Sequence, residues 1–155
     1  RFSLLNRRTH LLGGSMLKLT EKLDNTLCNW GLLILRVTAG LLLAFGHGWG
    51  KLTNFSSYSV EFADPFGVGP TISLALTVFA EFFCAIAVAL GIFARIATLP
   101  LIILFLTIML IIHGDDPWAK QEFGLLYLIP FLVILFTGPG KYSLDNMIFK
   151  WKKSE

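Results

Sequence analysis

Charge is what this sequence has least of. Only 15% of its 155 residues are Asp, Glu, Lys or Arg, against about 25% in soluble domains. Hydrophobic residues make up 55%, and they come in long blocks rather than in alternation, which excludes a half-buried sheet and a soluble globular class. Cysteine is scarce too. Cys28 and Cys84 form no CxxC, which argues against thiol exchange run by this chain alone; both read more simply as small buried hydrophobes. No HxxxH or comparable spacing supports a metal or a b-type haem. No internal repeat is visible, which disfavours a solute carrier. The net charge of +3 is small and its basic residues sit near the ends, so nucleic-acid binding has no support.

What remains is an all-α integral membrane protein. Four apolar blocks read as spans at about residues 30–46, 71–90, 96–112 and 122–137, each close to the length needed for a core of roughly 30 Å. Four spans on so short a chain make a four-helix bundle. Residues 16–155 are expected to form this single domain. The stretch 1–15 ends in Gly-Gly-Ser before Met16 and reads as a linker or a non-native extension. Leu19, Leu23 and Leu27 recur every four residues among Lys18, Glu21, Lys22 and Asp24, the pattern of a short interfacial amphipathic helix, with Trp30 marking the headgroup level. A second such helix is expected at the other terminus, capped by Ser143 and ending at Trp151 and lysines. Gly91, Asp116-Pro117 and Gly138-Pro139-Gly140 supply the expected turns.

Lys and Arg placement sets the orientation. Lys18, Lys22, Arg95, Lys141, Lys150, Lys152 and Lys153 fall on the side shared by both termini, and Lys51 and Lys120 on the other. Both termini are therefore expected in the cytoplasm, with loops 47–70 and 113–121 facing outward.

The spans carry two charges at depth, Arg36 and Glu81. Arg36, Gly40, Leu43 and His47 share one face of a helix. A charge in lipid requires a partner, so the expectation is that Arg36 pairs with Glu81. Such a pair serves either packing, or anion binding and proton transfer. A second cluster gathers at the outward helix ends: His47, His113 and Glu122, with Asp115 and Asp116 following His113, and Asp64 in the first loop. Two histidines with acidic neighbours can handle protons. Phe45, Trp49, Phe55, Tyr58, Phe62 and Phe66 crowd the first outward loop. They suit a bundle core, or a slot for a quinone ring beside polar groups.

The segments RVTAGLLLAFGHGWGKL, VFAEFFCAIAVALGIFAR, HGDDPW with the Glu and LLYL after it, and GPGKYSLD together resemble the DoxX family of small four-span membrane proteins, over about residues 29–145. The resemblance implies an inner-membrane bundle of bacteria or archaea and a link to redox chemistry, because relatives include the large subunit of archaeal thiosulfate:quinone oxidoreductase. Others are described as membrane partners of soluble oxidoreductases. This chain has no catalytic cysteine pair. On this reading a small reductant such as thiosulfate passes electrons to quinone, with His47, Glu81, His113 and Glu122 as catalytic candidates and Arg36, Asp64 and Trp49 as substrate-binding candidates. Lipid, quinone and a soluble or membrane redox protein are the expected partners. The alternative is a non-enzymatic anchor or assembly subunit whose buried charges only specify packing.

Overall fold

The structure is a computed structural model that describes residues 2–152, with side chains described from Thr20 to Ile148. Four helices are long and apolar enough to cross a membrane: Thr20–Thr53, Pro70–Leu90, Ala94–Ile112 and Trp118–Thr137, here spans 1 to 4. Spans 1 and 2, 2 and 3, 3 and 4, and 4 and 1 pack together, closing an up-and-down bundle. The outer surface stays apolar, with Ile34, Leu42, Leu76, Ile103 and Phe136 exposed, as lipid requires. The core is Leu43, Ala44, Leu74, Ala85, Val88, Leu101, Phe131 and Ile134.

Spans 1 and 2 meet through small residues. A Cβ on Gly40 would lie 2.5 Å from the Ala85 carbonyl oxygen and 2.8 Å from the Ala89 Cβ. A Cβ on Gly48 would meet the Glu81 backbone at 2.8 Å. Gly40, Ala44 and Gly48, spaced by four, therefore let two backbones touch, the small-residue contact of membrane helices.

Three expectations about boundaries change. The N-terminal amphipathic segment is not a separate element, because its helix is continuous from Phe2 to Leu43; nothing in Leu19–Trp30 breaks the α pattern. The exposed Leu23 and Leu27 extend span 1 beyond the predicted start. Span 4 begins at Trp118 rather than Glu122, after Pro117 in extended conformation. Span 3 begins at Ala94, so Pro100 lies past its first turn. The terminal helix, Leu144–Lys152, forms as expected, and the Ser143 Oγ accepts from the Asn146 amide. Lys18, Lys150, Trp151, Lys152 and Lys153 lie outside the residues whose side chains are described.

The opposite end of the bundle departs from α geometry. Ala44–Gly48, Phe79–Cys84 and Ile108–Ile112 are π-helical. Each π segment inserts the equivalent of an extra residue per turn and rotates the helix beyond it. Such segments concentrate at functional sites.

Candidate functional site

Arg36 and Glu81 do not pair. Arg36 is buried. One guanidinium nitrogen donates to the Ala89 carbonyl at 3.0 Å and another to the Tyr142 carbonyl, with Asp145 as the nearby counter-charge. Asp145 also accepts from the Phe93 and Ala94 amides at the start of span 3, at 2.8 and 3.1 Å. The reason is register. Ala89, level with Arg36, lies eight residues beyond Glu81, on the order of 12 Å along the helix. Arg36 thus ties spans 1 and 2 to the segment before the terminal helix. Gly91, at φ 74°, completes this corner, because a Cβ there would collide with the guanidinium and with the Ser143 Cβ at 2.6 Å.

Glu81 meets Lys51 instead, with Nζ and Oε2 2.5 Å apart. Glu81 is buried in the π segment of span 2, and the Lys51 side chain is 21% exposed. Lys51 is the residue the sequence reading missed. The signal was present: HGWGKL contains no helix stop, so span 1 continues to Thr53 and carries Lys51 with it, one turn past Gly48.

The pair lines a cavity of about 450 Å³ between spans 2 and 3. Phe62, Ala63, Pro65 and Phe66 of the loop between spans 1 and 2 cover it, Leu76, Thr77 and Phe79 form one wall, and Pro100, Ile103, Leu104, Thr107 and Ile108 form the other. His113 stands at the mouth. From Pro100 to His113 is thirteen residues, about 20 Å of helix. The lining is mainly apolar. Ser73 and Thr77 are turned to internal acceptors, at Asp64 and at the Ser73 carbonyl. Lys51, Glu81 and His113 are therefore the groups with hydrogen-bonding capacity to offer a ligand.

The other candidates fall around this cavity in different ways. Asp64 lies beside it, but its carboxylate accepts from Val68 N, Gly69 N and Ser73 Oγ at 3.1, 2.7 and 2.7 Å, tying the loop to the start of span 2. The Ser73 hydroxyl chiefly, helped by the backbone amides, holds the Asp64 carboxyl below its usual range. His113 Nδ1 lies 2.7 Å from Asp116 Oδ2, and Lys120 donates to the same carboxylate at 3.2 Å; the His113 bond holds Asp116 below its usual range. Asp116 thus braces the loop instead of capping span 4, whose first residue is Trp118. His47 packs edge-on against Phe123 and Tyr127 of span 4, centroids 5.5 and 5.7 Å away. The π segment explains it: the extra residue carries Gly48, and not His47, onto the Glu81 face. Trp49 is half-exposed and tilted against Phe45 and Phe82, on the lipid side. Glu122 and Asp115 are exposed. Of the seven predicted site residues, Glu81 and His113 line the cavity, Asp64 borders it, and His47, Glu122, Trp49 and Arg36 do not line it.

Comparison with known proteins agrees with this architecture. The model of the DoxX family matches residues 31–114, the stretch from the start of the apolar part of span 1 to the end of span 3. The chain is similar to the inner membrane protein YqjF of Escherichia coli (strain K12), 27% identical over 126 residues that cover 77% of this chain and 93% of that protein. No solved structure matches. With four spans closed into a bundle and more than half its length matched by the family model, this chain is a multi-pass membrane protein that belongs to the DoxX family.

Proposed function

We propose that the protein binds a quinone in the cavity between spans 2 and 3 and serves redox chemistry there, as an inner-membrane protein with both termini cytoplasmic. The carrying observation is a part-buried Lys51–Glu81 pair inside a long, mainly apolar cavity. A quinone combines a flat apolar ring, carbonyl oxygens at its edge and an apolar tail. Lys51 has three N–H donors; one meets Glu81 and two are left for a ring carbonyl. About 20 Å of apolar wall accommodates the tail. Leu76, Phe79 and Ile103 are exposed on the outer surface as well as lining the cavity, which supports entry from the lipid.

Reduction of a quinone to a quinol takes two electrons and two protons. Two thiosulfate ions joined through sulfur as tetrathionate release two electrons and no protons, so the protons come from elsewhere. The Lys51 ammonium supplies one, and His113, at the mouth, relays the other from the aqueous side. Glu81 holds Lys51 in place. A small anionic reductant reaches the mouth beside His113 and Lys51.

Binding of decylubiquinone to the protein in nanodiscs tests this. Saturable binding is expected, weakened at least tenfold by Lys51→Met, with tetrathionate formed from thiosulfate in proportion to quinol. Absence of saturable binding overturns the quinone site. Binding without turnover leaves an anchor or assembly role, which the wholly structural contacts of Arg36 favour.

A further inference from the structure

A second cavity, of about 400 Å³, lies at the end of the bundle that carries both termini, far from the Lys51–Glu81 pair. Its lining is polar: Glu21, Lys22, Asn25, Thr26 and Asn29 from span 1, and Lys141 and Tyr142 from the turn after span 4. The parts are held in place. Asn29 Oδ1 accepts from the Lys141 backbone amide at 2.7 Å, fixing the turn on the helix. Asn29 Nδ2 and Thr26 Oγ1 donate to carbonyls one turn back. The Lys22 and Lys141 side chains, in contrast, have no ion-pair partner among the described residues. Glu21 is the one acid in the lining, so the site is net positive. Trp30 and Tyr142, rings 4.9 Å apart, mark the headgroup level directly below it.

We infer that this cavity binds the phosphate of an anionic phospholipid head group between Lys22 and Lys141. Two ammonium groups and the Asn25 amide supply donors to a phosphate, and Glu21 accepts from a head-group hydroxyl. Trp30 and Tyr142 receive the glycerol and upper acyl region. The site is independent of the quinone reading, since it shares no residue with that cavity. It would tie the long, exposed start of span 1 to the membrane surface and to the turn after span 4.

The test uses the full chain, delipidated in detergent, with native mass spectrometry and thermal unfolding as readouts. The probes are phosphatidylglycerol, phosphatidylcholine and inorganic phosphate. Phosphatidylglycerol should be retained and should raise the unfolding temperature. Phosphatidylcholine, whose trimethylammonium group cancels the phosphate charge and brings no O–H or N–H donor, should do so much less. Each lysine near an anionic surface contributes roughly a fivefold change in affinity. Lys22→Gln and Lys141→Gln should each weaken phosphatidylglycerol retention by about that factor, and the double variant by roughly 25-fold. Lys120→Gln, at the other end, should leave it unchanged. The single variants keep the test decisive if the double variant misfolds. If inorganic phosphate at millimolar concentration stabilises the protein equally and the lysine variants abolish that, the phosphate is a soluble one rather than a lipid's. Equal retention of the two lipids, or phosphatidylglycerol retention indifferent to both lysines, overturns the site.

Discussion

At the end that carries both termini, Arg36 is enclosed by backbone oxygens and backed by Asp145. At the opposite end, Lys51 meets the carboxylate of Glu81 beside a cavity. Both cations sit on span 1 and both meet span 2, yet their surroundings differ. Around Arg36 the helices are regular and close, with Gly40 against Ala85 and Ala89. Around Lys51 three of the four spans turn π-helical, and spans 2 and 3 part enough to leave a cavity. A buried charge is thus no sign of chemistry by itself. The one tied to backbone carbonyls of two neighbouring segments holds the fold, and the one that keeps free donors facing a cavity is available to a ligand.

The contrast is broken most severely at Arg36. Arg36→Ala removes a guanidinium that satisfies two carbonyls and offsets Asp145, and should destabilise the bundle by about 3–5 kcal/mol. Because Arg36 and Glu81 have separate partners, Arg36→Leu with Glu81→Leu should cost the sum of the two single changes. Thermal unfolding in detergent of the three variants checks this. Recovery in the double variant would mean that the two residues interact after all.

Next in size are the glycines. Gly40→Ala and Gly48→Ala both press a methyl group into span 2, at about 1–3 kcal/mol each. Their effects should separate by function. Gly48 lies against the Glu81 backbone, so its substitution should weaken decylubiquinone binding, whereas Gly40→Ala should lower the unfolding temperature and leave binding in the folded protein unchanged. Equal effects on binding would remove the distinction between the two ends.

Smaller in stability and larger in function is the pair itself. Glu81→Gln leaves Lys51 without its carboxylate, but Lys51 is partly exposed and retains an amide acceptor, so about 1 kcal/mol is expected. Quinone reduction should fall at least tenfold, because Lys51 is no longer held in position by a carboxylate. Unchanged turnover would take Glu81 out of the mechanism.

The bundle, its four spans and the turns at Gly91 and Gly138–Gly140 were legible in the sequence because they follow from apolar block length and from backbone conformations that only glycine adopts easily. The site was legible in part. Glu81 and His113 stood out as polar groups at or near apolar spans. Register hid the rest: periodicity gives faces, not heights, so Arg36 was matched to Glu81 when its surroundings come from Ala89, Tyr142 and Asp145, the last two more than a hundred residues away. The π segment hid the face of His47, since a period of 3.6 projects it onto the side that Gly48 occupies. Lys51 was hidden by assigning HGWGKL to a loop.

The smallest effect expected is with pH, and it also distinguishes the two ends. At the end away from the termini two carboxylates, Asp64 and Asp116, brace the loops, and both are held below their usual range by the bonds they accept. A carboxylate whose folded value is depressed contributes stability that is present above its unfolded value, about 3.9, and that is lost as pH falls through the lower folded value. Acidification from pH 5 toward pH 2 should therefore loosen loops 54–69 and 113–117 first. At the other end the Arg36 bonds go to backbone carbonyls, which do not titrate. Hydrogen-exchange protection factors, corrected for the intrinsic effect of pH, should fall at Val68 and Gly69 before they fall at the buried amides of residues 36–43. Asp64→Asn keeps an acceptor for Ser73 but removes the titration, so it should abolish the acid loss at Val68 and Gly69 while lowering protection there at neutral pH. Simultaneous loss at both ends would show that the bundle opens as one cooperative unit, with no half that opens separately.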